Sequence, residues 1–234
     1  MSAPAEACAG DAPVLYTVAC GSPAAGYLSR LVTLAQEAGW RVCVITTPDG
    51  RKFIDAPALA DQTGFPVRSH FKNPGDRDVL PEADAIVVAP ATVNTVNKWA
   101  CGIADTLALG TLIEGYGLGL PIVVMPYTNT AMAAHPAFRE SLHRLRAWGV
   151  QVLFGDEVMA MPPPGSGAHR AADFPWQLAL QAVGPPRHRR NHLRAATTAA
   201  PARLALPRNQ RLPAERRRPA PPVTPRPAPA IVRS

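Results

Sequence analysis

The sequence lacks the features that mark a membrane, secreted or zinc-binding protein. No apolar run approaches the length needed to span a bilayer, and the N-terminus has neither the basic nor the apolar segment of a secretory signal. The four cysteines, Cys8, Cys20, Cys43 and Cys101, form no CxxC pair and no zinc spacing. These absences predict a cytoplasmic protein with reduced thiols, no membrane association and no metal.

Positive charge is scarce outside the last fifth of the chain. Of the 24 Lys and Arg residues, twelve are arginines in residues 185–234, where the one acidic residue is Glu215. The net charge of that segment is +11, whereas the net charge of the whole chain is +7, so residues 1–184 have a net charge of −4. The basic balance therefore gives no reason to expect nucleic-acid binding by the folded part.

The same C-terminal segment sets the predicted domain organisation. Its eleven prolines, scattered arginines and lack of periodicity predict a segment that cannot bury enough apolar surface to fold. A shifted reading frame is a second explanation of this composition. We predict a flexible N-terminus at residues 1–12, one folded domain at 13–183 and a disordered tail rich in Pro and Arg at 184–234.

Short apolar runs alternate with segments of helical periodicity through the predicted domain. The runs predict buried parallel strands, and the intervening segments predict helices that cross from one strand to the next. The result is a doubly wound, Rossmann-like or flavodoxin-like α/β sheet of about five to six strands, which binds ligands at the carboxyl ends of its strands. We predict strands at residues 14–19, 41–46, 85–89, 121–125 and 150–154, and helices at 28–38, 59–63, 106–120, 137–148 and 173–183.

Residues 85–105 are the stretch around which the rest is organised. An apolar run is followed by Pro90, which we expect to end the strand because proline has no N–H for the ladder. Thr92, Asn94 and Thr95 come next and lead into a helix whose Val93, Trp99 and Ile103 can turn inward. These polar groups are predicted to line a ligand site, although Thr92 or Asn94 could equally serve as an ordinary N-cap.

The first strand is followed by a loop suited to an anion. Gly21 lets the backbone approach a ligand, and Ser22 offers a hydroxyl at the start of a helix, where unpaired N–H groups attract phosphate. Thr46 and Thr47 end the neighbouring strand and could reach the same anion. A tight turn that needs glycine explains Gly21 equally well, and no G-x-G-x-x-G motif supports a dinucleotide.

His70 lies at the start of a polar stretch, residues 70–80, that is predicted to be a surface loop. A solvated histidine is the ordinary explanation for such a residue, and a general acid or base is the functional one.

Two loops have similar compositions: PATVNT at residues 90–95 and PYTNTAM at 126–132. They occur together with GSPAA at 21–25 and the pair Thr47 and Phe53. Over residues 14–154 the sequence resembles the flavoprotein family of homo-oligomeric flavin-containing cysteine decarboxylases. The most specific part is PATVNT running into KWACGIADTL, which looks like the PASANT segment of that family and the G-x-x-D-N-L-L after it.

The resemblance implies a cofactor, a reaction and a set of roles. In such proteins FMN lies near a subunit interface of a homo-oligomer, expected here to be a trimer or larger, and the flavin oxidises a cysteine thiol before carbon dioxide leaves the small-molecule or peptidyl substrate. The implied cofactor residues are Gly21, Ser22, Thr47, Phe53, Thr92, Asn94, Thr95 and Asp105, with Asp105 expected in the helix behind the loop. Asn129 and Met132 would bind substrate, and His70 and Asn94 would be catalytic.

This sequence departs from the family pattern at three points. Thr128 stands where the family has methionine and Ala133 where it has tryptophan, so the substrate loop is altered. Counting back from Pro90 without gaps places Asp76 where the catalytic histidine belongs, so His70 fits only with a longer loop. Two alternatives therefore stay open: a flavin-binding subunit or regulator without catalysis, and a flavin prenyltransferase-like enzyme.

Overall fold

A computed structural model describes residues 12–188 of the 234. The predictions for residues 1–11 and 189–234, including Cys8 and most of the tail, lie outside the described residues. Five strands and seven α-helices alternate along the described chain. The strands are β1 (Val14–Ala19), β2 (Arg41–Thr46), β3 (Ala85–Ala91), β4 (Ile122–Pro126) and β5 (Gln151–Val152). The helices are α1 (Leu28–Glu37), α2 (Ala56–Thr63), α3 (Val93–Ala100), α4 (Leu107–Gly117), α5 (Thr130–Ala133), α6 (Pro136–Ala147) and α7 (Trp176–Val183).

The strands form one parallel sheet in the order β2-β1-β3-β4-β5. Strand β2 pairs with one side of β1, and β3 pairs with the other side. The chain therefore adds strands in one direction after β1 and in the opposite direction from β3 onward, so the order reverses between β1 and β3. This reversal opens a crevice at the carboxyl ends of those two strands. The predicted doubly wound, flavodoxin-like class is confirmed, with five strands among the described residues.

Side chains of the strands alternate between two apolar cores, as the pleat requires. In β3, Val87 and Ala89 face the core that contains α1 and α7, whereas Ile86 and Val88 face the core built with α3, α4 and α6. The sheet is therefore covered on both faces, which explains the near-continuous apolar character of its central strands. Phe174 and Trp176 are both buried and dock α7.

Strand β3 does not end at Pro90, as the sequence had predicted, but continues to Ala91. Proline supplies no N–H, yet the Pro90 carbonyl accepts a hydrogen bond from the Cys20 N–H at 3.0 Å, and the Ala91 carbonyl accepts one from the Tyr127 N–H at 2.9 Å. These carbonyl acceptors help to keep the end of the strand in the sheet. Strand β4 likewise includes a proline, Pro126.

The helix after β3 is shorter than predicted. It ends at Ala100, and Gly102 follows at φ 71°, a left-handed conformation that glycine adopts without strain. Ile103 is consequently 42% exposed and does not turn inward. Asp105 lies in the connection to α4 and not in a helix, which corrects a second prediction for this stretch.

Further boundaries differ from the predictions: α4 ends three residues early at Gly117, α7 starts three residues late at Trp176, and β4 and α6 shift by one residue. Helix α2 starts at Ala56, three residues early, because Asp55 accepts a hydrogen bond from the Ala58 N–H and caps it. Helix α1 ends at Glu37, so Ala38 is an exposed cap residue. Strand β5 has two residues and lies at the edge of the sheet, where a single neighbour supports it.

Candidate functional site

Hydrogen bonds hold the ends of four neighbouring strands together at the carboxyl edge of the sheet. Besides the bonds from Cys20 to Pro90 and from Tyr127 to Ala91, the Thr47 N–H donates to the Ala19 carbonyl at 3.0 Å. The loops that follow β1, β2, β3 and β4 are thereby placed side by side. These are the loops in which the sequence predicted a ligand site.

The loop after β1 contains a buried hydroxyl with no partner. Ser22 is 3% exposed, and among the described residues its Oγ has no hydrogen-bond partner. A buried polar group is normally bonded because desolvation without a bond costs free energy. Thr46, at the end of β2, has a fully buried Oγ1 in the same condition. Of these two hydroxyls, that of Ser22 lies in the loop itself and is a candidate donor to a ligand bound there.

The backbone approaches itself closely around this loop. A Cβ added to Gly50 would lie 2.5 Å from the Ala19 carbonyl oxygen, and one added to Gly21 would lie 3.1 Å from Asp49 Cβ. The Thr47 hydroxyl accepts a hydrogen bond from the Gly50 N–H at 3.0 Å, which leaves its own proton free to donate. The β1 and β2 loops thus form a tight cradle of small residues and hydroxyls, which suits a phosphate group.

The three polar residues of the loop after β3, Thr92, Asn94 and Thr95, differ in exposure and in hydrogen bonding. Thr92 is the N-cap of α3, as one of the two sequence alternatives held, and its Oγ1 accepts from the Thr95 N–H at 3.4 Å. The Thr92 and Thr95 hydroxyl oxygens lie 3.2 Å apart, and Thr95 is buried. Asn94 is exposed, so its amide can reach a ligand outside the loop.

Cys20 lies beneath this loop and was not predicted to take part in the site. Burial raises the pKa of the Cys20 thiol, and hydrogen bonds with Thr95 and Thr92 oppose that effect. The thiol therefore links the β1 loop to the first turn of α3. The sequence signal, a cysteine next to Gly21 at the end of a buried strand, was available but not specific.

His70 lies at the same edge of the sheet but on its far side. The segment before it pairs with β2, because Arg68 N–H donates to the Val44 carbonyl and Thr46 N–H donates to the Arg68 carbonyl. Strands β2 and β1 therefore separate this segment from β3, a distance of about 14 Å at three strand spacings. His70 is exposed, and its Nδ1 lies 2.9 Å from Ser69 Oγ. The structure does not bring His70 to Asn94 within the described chain.

Phe53 and Asp105 flank the site. Phe53 ends a 3-10 turn after β2 with its ring 41% exposed. Asp105 pairs with Lys98 of α3, with 2.5 Å between Oδ2 and Nζ.

The loop after β4 forms the short helix α5. Asn129 caps it by accepting a hydrogen bond from the Met132 N–H at 2.9 Å, and Thr130 N–H donates to the Pro162 carbonyl. Tyr127 anchors the start of the loop by donating its hydroxyl proton to the Gly167 carbonyl at 2.6 Å. Met132 is 49% exposed, so the loop presents an apolar side chain on a fixed backbone.

Within residues 12–188, no three His, Cys, Asp or Glu side chains are grouped so that they could hold a metal ion. The helices of that part of the chain include none that is both long enough and apolar enough to cross a membrane.

The strand order defines a flavodoxin-type α/β protein, and the cradle of small residues and hydroxyls is its candidate ligand site at the carboxyl edge of the sheet. Comparison with known proteins makes this more specific, because the model of the Flavoprotein family matches residues 6–173. The chain belongs to the Flavoprotein family. The resemblance inferred from the sequence motifs is confirmed.

The relatives and solved structures that the chain matches include decarboxylases. Mouse phosphopantothenoylcysteine decarboxylase is 34% identical over 156 residues, which cover 63% of this chain and 76% of the mouse protein. The coenzyme A biosynthesis bifunctional protein CoaBC of Thermococcus kodakarensis is 31% identical over 132 residues, 52% of this chain, and the match spans about a third (32%) of that longer protein. The FMN-dependent cysteine decarboxylase TvaF superimposes with a TM-score of 0.57 at 25% identity, covering 74% of this chain and 99% of TvaF.

Proposed function

We propose that this chain binds FMN at the carboxyl edge of its sheet and acts as an FMN-dependent decarboxylase-like lyase. The observation that carries the proposal is the buried Ser22 hydroxyl without a partner, beside the close backbone approach at Gly50. A phosphate bound there would satisfy the hydroxyl, so the residues present fit the cofactor. Family membership supports the same cofactor.

The cradle residues Gly21, Ser22 and Thr47 would hold the FMN phosphate. Thr92 and Thr95 would hold the loop that faces the flavin, since their hydroxyls already bond to each other and to the first turn of α3. The exposed Phe53 ring is available to pack against the cofactor. Asp105 would act indirectly, by fixing Lys98 on α3.

The proposed substrate is a small molecule or a peptide that ends in a cysteine-type unit, with both a thiol and a free carboxylate. FMN, when bound, accepts the two electrons removed from that thiol before carbon dioxide leaves. Asn94 would donate amide hydrogen bonds to the substrate carboxylate and orient it, because its side chain is exposed beside the cradle. Asn129 fixes the short helix that presents Met132, which would cover the apolar part of the substrate.

A second candidate, a flavin-binding protein without decarboxylase activity, is favoured by the position of His70. Strands β2 and β1 lie between the segment that precedes His70 and β3, so an acid or base for Asn94 would have to come from another residue or from a neighbouring subunit. The altered residues Thr128 and Ala133 of the substrate loop favour the same alternative.

We further propose a cytoplasmic homo-oligomer of three or more copies. Exposed Asn94 and Met132 leave the site open to a neighbouring subunit that could complete it. Cys20, Cys43 and Cys101 are free thiols, which is consistent with a reducing compartment.

The test is turnover by the full chain loaded with FMN, with dissolved oxygen present to reoxidise the reduced flavin. The two substrates are phosphopantothenoylcysteine and a peptide that ends in cysteine, and released carbon dioxide is measured. We expect carbon dioxide from one of them, and at least a hundredfold loss in Asn94→Asp with FMN still bound, because a carboxylate repels the substrate carboxylate. His70→Gln should also lose activity if a neighbouring subunit brings His70 to the site, whereas normal turnover would exclude His70 from catalysis. Retained FMN with no turnover of either substrate would favour the second candidate.

A further inference from the structure

A groove of about 650 Å³ lies on the α4 face of the sheet, outside the loops of the proposed flavin site. Loop residues 71–83 form one wall and α4 forms the other. The Phe71 ring bridges them, since it lies 3.2 Å from the place that a Cβ on Gly110 would occupy. Tyr16, Ile86 and Leu118 provide further apolar lining. The groove thus has the size and the apolar walls of a binding site.

The groove has an acidic rim. Asp78, Glu82 and Glu114 line it, against the basic residues Arg68 and Lys72. Lys72 is paired with Asp78 at 2.8 Å, and Arg68 donates to the His70 carbonyl at 3.2 Å. Glu114 forms no ion pair among the described residues.

Tyr16 is a polar group of the groove wall. Its hydroxyl donates to the Pro81 carbonyl at 2.6 Å. Burial is the main cause that raises the pKa of Tyr16, and nearby Cys43 and the Asp78, Glu114 and Glu82 carboxylates raise it further. The three carboxylates therefore add negative potential at Tyr16, the sign that attracts a cationic side chain.

The described chain ends beside this groove. After α7 it reaches His188, whose Nδ1 lies 3.7 Å from Asp84 Oδ2. Asp84 directly follows residues 81–83, which line the groove. The next eleven residues, 189–199, include Arg189, Arg190, Leu193 and Arg194 and have no acidic residue. Fully extended, they could span about 36 Å, more than a groove of this volume requires.

We propose that the groove binds residues 189–199 of the same chain, with the arginines facing its acidic rim and Leu193 against its apolar walls. Charge complementarity and the place where the described chain ends support this occupant over others. A segment whose composition does not fold alone can become ordered when it binds, and covalent attachment raises its effective concentration at the groove into the millimolar range. The proposal does not depend on flavin binding.

The test is photo-crosslinking in the full chain. Benzoylphenylalanine replaces Phe71 in one variant, and in the control it replaces Trp148, which is 41% exposed and lies outside the groove. We expect mass spectrometry to find an intrachain crosslink from position 71 to residues 189–199. Its yield should be at least five times as high as that of the crosslink from position 148 to the same residues. Adding Glu114→Lys should lower that yield at least threefold, whereas Asp61→Lys on α2, an equal change of charge elsewhere, should not.

Three outcomes would overturn the proposal. An interchain crosslink at position 71 would mean that a second copy occupies the groove. Equal yields from positions 71 and 148 would mean non-specific contact, and no product with residues 189–199 would mean that the segment lies elsewhere. Circular dichroism of each variant confirms that it is folded.

Discussion

Single atoms carry the strongest argument for a ligand in this protein. The Ser22 and Thr46 hydroxyls are buried and lack partners among the described residues, and each lies in or beside the loop of small residues after β1. Burying a hydroxyl without a hydrogen bond costs about 1–3 kcal/mol, so an acceptor bound in that loop would recover free energy at Ser22. The exposed Asn94 differs, because water solvates it until a substrate arrives.

Replacing Ser22 with alanine should weaken FMN binding without harming the fold. Loss of one hydrogen bond to a charged phosphate corresponds to roughly tenfold or more in Kd, while removal of an unbonded hydroxyl leaves the melting temperature of the flavin-free protein unchanged or higher. Quenching of flavin fluorescence gives the Kd, and Ser29→Ala on the exposed face of α1 is the control. Wild-type affinity in Ser22→Ala would place the phosphate elsewhere.

Gly50→Ala should be damaging, since its Cβ would lie 2.5 Å from the Ala19 carbonyl oxygen. The backbone must shift, which we expect to cost about 1–3 kcal/mol of unfolding free energy and to distort the cradle. Gly117→Ala, where nothing lies within 4 Å of the new Cβ, should be neutral or stabilising. Urea unfolding of both variants measures the difference, and equal stabilities would contradict the close approach.

Cys43 should make the protein less stable in alkali. Burial raises the pKa of its thiol from 9.0 to about 12, so between these values the folded state holds a proton that the unfolded state has lost. The free energy of unfolding therefore falls as the pH rises from 9 to 12, by about 1.4 kcal/mol per pH unit for one group. Denaturant unfolding across this range measures the slope of unfolding free energy against pH, which should be shallower by that amount in Cys43→Ala than in the wild type. An equal slope in both proteins would assign the effect to other groups.

Among the elements, β3 and α3 do most to position the site. The strand extends through Pro90 to Ala91, and Thr92 then starts the helix at once. Asn94 and Thr95 therefore lie in the first helical turn at the edge of the sheet. The Cys20 thiol, bonded to Thr92 and Thr95, fixes this turn against the end of β1.

Thr92→Ala should destabilise the protein by about 1 kcal/mol, the usual effect of removing an N-cap, and Thr92→Ser should restore most of it because serine keeps the capping oxygen. Guanidinium unfolding measures both. If the serine variant were as unstable as the alanine variant, the threonine methyl group and not the cap would be responsible.

How far the sequence predicts these elements depends on how local their causes are. Apolar runs identified β1 and β2, since each depends on a few neighbouring residues. The continuation of β3 through Pro90 depends on donors from Cys20 and Tyr127 in other strands. The separation of His70 from Asn94 likewise depends on strand order, and the unsatisfied Ser22 hydroxyl on packing; neither can be inferred from spacing alone.

In the molecule as a whole, the order β2-β1-β3-β4-β5 gathers four loops at one edge of the sheet. Loops far apart in sequence, around Ser22, Thr47, Asn94 and Asn129, thereby lie side by side at the proposed flavin site, where open α/β sheets bind ligands. The groove on the α4 face lies apart from those loops and beside the last described residue, His188. The fold thus separates the proposed flavin site from the proposed site for the basic segment.

The most direct test of the central claim is the visible absorption spectrum of the purified full chain, followed by mass spectrometry of the chromophore released on denaturation. We predict a two-band flavin spectrum and the mass of FMN, with Ser22→Ala purifying with less flavin than Ser29→Ala. A colourless protein that also fails to take up added FMN would contradict the account, and the cradle after β1 would then serve another anion.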